Sequence, residues 1–182
     1  MFKTLSIPLR NLAQPLEPCF LKFLLMPNHQ TQQDGLENLL PTALKTAVIQ
    51  AMLALKQQGQ QTSSCRLQLI TPDYDLSNSS GAALALALTP YYLNPDCIYQ
   101  HFIITGGLNG IEVTDSGHLL EKMASVVKLG YQTQPTLFLL PSIMFNEETK
   151  KLYQQLAEHN IAVRTVNTLI EAKHFITQAN QS

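Results

Sequence analysis

Apolar residues recur at different periods along this chain, and the changes of period divide it into alternating strands and helices. Residues 1–18 carry Pro8, Pro15 and Pro18 and read as an irregular lead-in. Cys19 to Met26 is then a strand-like apolar run, followed by a polar loop from Asn28 to Gly35. From Glu37 to Lys56, the residues Leu40, Leu44, Ala47, Val48, Ala51 and Leu55 return at helical spacing. Pro41 is tolerable in the first turn of that helix. A Gln- and Ser-rich loop, Gln57 to Ser64, precedes the alternating segment Arg66 to Thr71, a half-buried strand.

Thr71 to Asn78 is turn-rich, and it leads into Ser79-Ser80-Gly81-Ala82-Ala83-Leu84-Ala85-Leu86-Ala87-Leu88. The small residues predict a helix packed closely inside the protein. His101 to Thr105 reads as a buried strand, broken by Gly106, Gly107 and Gly110 before a second short strand at Ile111 to Val113. Gly117 to Leu129 is helical and stops at Gly130, a residue suited to a left-handed cap. Thr136 to Leu140 is a strand ended by Pro141. The helix Asn146 to His159, the strand Ile161 to Arg164 and the helix Asn167 to Ala179 follow. Interleaved strands and helices, with no internal repeat, predict an α/β (α+β) domain: a mixed sheet with packed helices.

Composition agrees with a globular body. Of 182 residues, 45% are hydrophobic and 14% charged, a balance far from that of a disordered chain. Twelve basic residues against thirteen acidic ones leave a net charge of -1, so nothing favours a nucleic-acid backbone as partner. No apolar stretch approaches the length of a membrane span, and no signal peptide opens the chain. Cys19, Cys65 and Cys97 form no CxxC pair, which argues against a disulfide framework or a zinc site and for a reducing cytoplasm.

Two segments could carry chemistry. Ser79 and Ser80 stand where an N-cap belongs, and a hydroxyl there has free backbone N–H groups beside it that can hold an oxyanion. For a Ser-Ser-Gly taken alone, a simple capping role is the commoner one. The second segment is Gly117-His118-Leu119-Leu120-Glu121-Lys122-Met123-Ala124, in which Lys122 taken alone reads as an ordinary solvated helix lysine. The histidines His29, His101, His118, His159 and His174 show no metal-ligand spacing. The run Gly106-Gly107-Leu108-Asn109-Gly110 lacks the ending of a phosphate loop and reads as a hairpin turn. No metal, cofactor or ATP site is expected.

Together these segments resemble the proteolytic domain of the Lon family. Ser79-Ser80-Gly81 and the small-residue helix are similar to the second half of the family's Asp-Gly-Pro-Ser-Ala-Gly nucleophile motif. Ile104-Thr105-Gly106 resembles its Met-Thr-Gly, and Gly117 to Lys122 resembles the Gly-Gly-Leu-Lys-Glu-Lys segment that ends in the catalytic lysine. Lys122 follows Ser79 by 43 positions, the family's dyad interval. Leu137 to Pro141 resembles its Val-Leu-Ile-Pro strand end, and Val163 to Leu169 its closing strand. The resemblance spans about residues 19–178 and departs at three places. Leu76-Ser77-Asn78 replaces Asp-Gly-Pro, Gly107 replaces a glutamate, and Asp115-Ser116-Gly117-His118 replaces Pro-Ile-Gly-Gly.

The resemblance implies a Lon-type domain over 19–182 without its own ATPase, with Ser79 as nucleophile, Lys122 as base, and Thr105, Ser80 and Gly81 in support. A register slip of one would make Ser80 the nucleophile. It also implies a polypeptide substrate, a homo-oligomer such as a hexamer, and a separate ATPase chain as partner. The alternative is an inactive descendant that keeps the fold as a binding or assembly module. A kinase-like relative of the same superfamily fits poorly without a phosphate loop. Lysine can deprotonate serine only when neutral, and bringing its pKa from about 10.4 to about 7–8 corresponds to roughly 4 kcal/mol. Apolar neighbours such as Leu119, Leu120, Met123 and Ala124 would have to supply that by desolvation.

Overall fold

A computed structural model describes residues 2–9, 18–27, 44–60, 65–70, 80–115 and 117–177. The strands are β1 (Lys3–Leu9), β2 (Cys19–Pro27), β3 (Cys65–Leu69), β4 (His101–Ile104), β5 (Gly107–Asn109), β6 (Glu112–Thr114), β7 (Thr136–Pro141) and β8 (Ile161–Val166). The helices are α1 (Lys45–Gln57), α2 (Ala83–Ala87), α3 (Leu119–Val127), α4 (Glu147–Glu158) and α5 (Leu169–Thr177). Six strands form one sheet in the order β3-β2-β1-β4-β7-β8, and β5 pairs with β6 in a hairpin. β2 runs antiparallel to both its neighbours, and the other pairings are parallel. The mixed α/β class expected from the alternation is the one found.

The lead-in differs from expectation. Residues 3–9 are not irregular: β1 lies inside the sheet, antiparallel to β2 and parallel to β4. Leu5 and Ile7 are fully buried, and with Leu9 they make the period-two pattern of a strand. Pro8 does not prevent this, because the ladder to β4 ends at Ser6 opposite Ile103, before the missing N–H would matter. Residues 10–17, the rest of the lead-in, lie outside the described residues, as do residues 37–43 of the expected first helix.

Each face of the sheet has its own apolar cluster. Leu5, Ile7, Phe102, Ile104, Leu137 and Leu139 pack with α1, α2 and α5 on one side. Ile103, Phe138 and Leu140 pack with Leu119, Met123 and Val126 of α3 and Leu156 of α4 on the other. Alternate residues of β4 and β7 thus serve opposite layers, the side-chain period of a strand. α2 is buried along its whole length. Its alternating Ala and Leu let it pack closely on α1, which presents Ala47, Ala51 and Ala54. It is shorter than the expected helix because Ser80–Ala82 form a 3-10 turn before it.

Local signals set the other helix ends. Asn146 caps α4 by a capping box in which its Oδ1 accepts from the Thr149 N–H at 2.9 Å and its own N–H donates to Thr149 Oγ1 at 2.8 Å. Gly130, with φ of +72°, follows α3 as anticipated. Among the described residues no helix is long and apolar enough to cross a membrane.

Candidate active site

Because β1, β3, β4, β7 and β8 share one direction, α2, α3, α4 and α5, each following one of those strands or its hairpin, begin at the carboxyl end of the sheet. The chain leaves β1 toward β2 and β3 on one side, while β4 continues toward β7 and β8 on the other. The carboxyl ends of β1 and β4 therefore flank a topological switch point, where open α/β sheets place their crevices. Thr105 stands at this end of β4.

Thr105 is fully buried. Its N–H donates to the Leu139 carbonyl at 3.1 Å, continuing the ladder with β7, but its Oγ1 has no hydrogen-bond partner among the described residues. A buried hydroxyl left unpaired costs about 1–3 kcal/mol, and such exceptions concentrate where a protein does something besides fold. Beside it, the Gly106 N–H donates to the Gly81 carbonyl at 2.8 Å, and the Leu84 N–H donates to the Gly106 carbonyl at 3.0 Å. These two bonds tie the 3-10 turn of Ser80-Gly81-Ala82 to the end of β4. Gly106 has φ of +151°, and a Cβ there would meet Val113 Cγ1 at 3.2 Å, Leu84 Cδ2 at 3.3 Å and Pro141 Cγ at 3.4 Å. The join requires glycine.

The expected nucleophile, Ser79, lies outside the described residues, as do Leu76, Ser77 and Asn78. Ser80 opens the 3-10 turn, with only its backbone described. Gly81 is buried, and its carbonyl is committed to Gly106.

Lys122 lies on the opposite layer, in the first turn of α3. Here the structure departs from the ordinary expectation for a lone helix lysine. Leu119, Lys122, Met123 and Val126 form the buried stripe of α3, and Lys122 is only 7% exposed. The desolvation pushes its ammonium below the usual lysine range, while the carboxylate of Asp115 opposes that shift. Of the apolar neighbours anticipated, Leu119 and Met123 share its buried stripe, whereas Leu120 and Ala124 are half-buried. His118 makes no helix cap with its side chain; its Nδ1 lies 3.4 Å from Glu121 Oε1.

Two features of this layer escaped the sequence reading. Asp115 was noted only as a departure from a motif, although an Asp two residues before Gly117 is a turn-former whose side chain can accept the glycine N–H, as it does at 2.8 Å. Ser6, 2% exposed on β1, has its Oγ 2.9 Å from His101 Nε2. Burial lowers His101 below the ordinary histidine value, a hydrogen bond with Gln132 opposes this, and Lys22 adds to it. With residues 1–18 read as irregular, no signal placed that serine beside the histidine.

Burial argues against the cysteines as a competing nucleophile: Cys19, Cys65 and Cys97 are buried and in no disulfide, and burial pushes the Cys65 thiol up to about 12. Among the described residues no group of three or more His, Cys, Asp or Glu could hold a metal ion. No protein-family model and no curated protein matches the chain.

Proposed function

We propose that this chain is a Lon-like serine peptidase domain that hydrolyses peptide bonds in unfolded polypeptides with a Ser79–Lys122 dyad. The observation that carries this reading is the burial of Lys122 on the apolar stripe of α3. A surface lysine at neutral pH is an ammonium and no base, whereas a desolvated one can be neutral near physiological pH. A buried lysine is costly to keep, and functional sites are where such perturbed groups concentrate.

In this reading the neutral Lys122 Nζ takes the hydroxyl proton of Ser79 while Oγ attacks the scissile carbonyl carbon. Backbone N–H groups of the Ser79–Gly81 turn donate hydrogen bonds to the developing oxyanion. The tetrahedral species collapses, the C–N bond breaks, and Lys122 returns the proton to the leaving amine. Water, deprotonated by the same lysine, then attacks the acyl-serine ester and frees the carboxylate and the serine. Thr105 Oγ1, buried and without a partner among the described residues, supplies a hydroxyl to orient the lysine.

By the same reading the protein works in the cytoplasm, assembles as a homo-oligomer such as a hexamer, and depends for folded substrates on a separate ATPase chain. Hydrolysis of unfolded casein and of a fluorogenic peptide library, by the wild type beside Ser79→Ala and Lys122→Ala, tests it. Cleavage abolished by both substitutions is the expected result. Cleavage unaffected by either, or no cleavage by the wild type with and without candidate ATPases, sinks it in favour of a non-catalytic module. Cleavage lost in Ser80→Ala but retained in Ser79→Ala would move the nucleophile by one residue.

A further inference from the structure

A helix on the surface of a domain normally turns a polar side outward, and α1 does not. Its inner side is Ala47, Val48, Ala51 and Ala54, yet Ile49, Met52 and Leu53 are all exposed. Spacings of three and four residues put them on one side of the helix, and Lys45 and Lys56 are exposed at either end of the same stripe. α1 contains no acidic residue to balance those lysines. A contiguous exposed apolar stripe marks a contact surface. Phe2, Ile70, Ile98, Tyr131 and Ile170 are exposed too, but they come singly from separate stretches of chain, which is ordinary.

A second surface of this kind lies in the connection from β7 to α4, where Met144 and Phe145 are 80% and 70% exposed. The chain there is anchored. Ile143 packs against the cluster of α3 and α4, Thr149 Oγ1 lies 3.4 Å from the Met144 carbonyl oxygen, the capping box of Asn146 and Thr149 fixes the following turn, and the Phe145 ring is 6.3 Å from that of Tyr153. An anchored turn that already presents its apolar side chains to water loses little freedom on binding. Glu147 and Glu148 come next in the chain, both exposed.

The two surfaces are complementary: an apolar stripe between lysines, and an apolar knob beside glutamates. They belong to opposite faces of the sheet, since α1 packs into one apolar cluster and Ile143 and Tyr153 against the other, so they cannot meet within one molecule. Charge also disfavours either surface pairing with itself about a two-fold axis. Antiparallel α1 helices crossing at Ile49 and Leu53 would set Lys45 of one copy against Lys56 of the other, and two joined knobs would set Glu147 and Glu148 against their counterparts.

We propose that this chain associates head to tail with a second copy of itself, the Met144–Phe145 knob and the glutamates beside it docking on the Ile49, Met52 and Leu53 stripe of the next copy, between Lys45 and Lys56. Such a contact is heterologous: it leaves a free knob at one end and a free stripe at the other, and so closes into a ring or grows as a filament. It supplies the contact for the proposed homo-oligomer and rests on that part of the reading, not on the dyad. The knob follows Pro141, which lies beside Gly106, and α1 touches the Ser80–Ala82 turn, so assembly links the candidate sites of neighbouring copies. A contact carried by so few large side chains is expected to form at micromolar rather than nanomolar concentrations.

Sedimentation velocity of the full chain, from micromolar to near-millimolar concentration, tests it with two variants. Leu53→Glu spoils the stripe and spares the knob; Phe145→Lys spoils the knob and spares the stripe. Both positions are exposed, and circular dichroism with urea denaturation checks that each variant is folded. The wild type should sediment as an oligomer and each variant alone as a monomer, its association at least about tenfold weaker. An equimolar mixture should give a dimer and nothing larger, because one intact knob and one intact stripe are left to meet. Should either variant not fold, charge exchange takes its place: Lys45→Glu with Lys56→Glu, or Glu147→Lys with Glu148→Lys, disperses the oligomer, and the chain carrying both pairs restores it. A wild type that is monomeric throughout overturns the proposal and leaves the two surfaces to other proteins. A folded variant that keeps the wild-type mass, or a mixture in which the variants stay apart, overturns it as well. If assembly follows the expected pattern while casein and the peptide library stay uncut, the contact stands and the peptidase reading fails; if a monomeric wild type cuts peptides with Ser79 and Lys122, the contact alone falls.

Discussion

Two polar intrusions share one face of the sheet and are treated in opposite ways. Near the amino end of β4, Ser6 and His101 bury their polar atoms against each other at 2.9 Å. At its carboxyl end, Thr105 Oγ1 is buried with no partner among the described residues, and burial lowers the pKa of Lys122. The first pair is satisfied and belongs to the stability of the sheet. The second set lies against the anchored Gly106 and the apolar stripe of α3, surroundings that lower the lysine pKa. The difference teaches that burial of polar groups alone does not mark a site; what the surroundings do to the proton of the buried group matters more.

The largest effect should come from Lys122→Met. Turnover falls by at least about 100-fold, while thermal denaturation at pH 7 shows a gain on the order of 1 kcal/mol from removing a buried charge. The sign follows from linkage. Because the folded-state pKa lies below the unfolded value near 10.5, the wild type recovers stability only as pH rises from the folded pKa through that value. The advantage of the variant should therefore shrink in alkali. A destabilised Lys122→Met would show that the cost of burying the lysine is more than offset in the fold, and would erase the contrast.

Next in size is Gly106→Ala. Its Cβ must push aside Val113, Leu84 or Pro141 in a backbone conformation that disfavours side chains, at a cost of about 1–3 kcal/mol in urea denaturation. Peptide hydrolysis should fall with it, since Gly106 ties the Ser80-Gly81 turn to β4.

The contrast itself is sharpened by pairing Ser6→Ala with Thr105→Val. The first leaves His101 Nε2 without its partner and should cost about 1–2 kcal/mol with little effect on catalysis. The second removes a hydroxyl with no partner among the described residues, so it should leave stability unchanged or raise it by about 1–3 kcal/mol, yet slow hydrolysis. Equal stability losses from both would show that the two ends do not differ.

The smallest effect is the acid response of His101. Its folded pKa lies below the ordinary 6.5, so its contribution is complete above pH about 6.5 and is lost as pH falls through the folded value. A His101→Asn variant should show a flatter stability profile in that window. An unchanged slope would assign the acid sensitivity elsewhere.

Much of the fold was legible because local rules are local. The alternation of Leu67 with polar neighbours, the helical stripe of α1, the helix opening at Asn146 and the Gly130 stop each depend on a few adjacent residues, and each appears where the pattern put it. β1 failed the same test because three prolines outweighed the Leu5, Ile7 and Leu9 alternation. Tolerance of Pro8 depends on where the β4 ladder ends, which no local window contains.

The residue types from which a dyad can be built, and the small-residue helix behind Ser79 and Ser80, belong to the sequence by itself. It also determined the alternation of strands and helices and most of their ends. Tertiary structure alone decided that Lys122 faces the core, that the Thr105 hydroxyl is buried at the end of β4, and that Gly106 joins the start of α2 to the end of β4. Burial and electric field at a side chain are set by neighbours that the fold brings from far along the chain, and a one-dimensional pattern does not contain those distances.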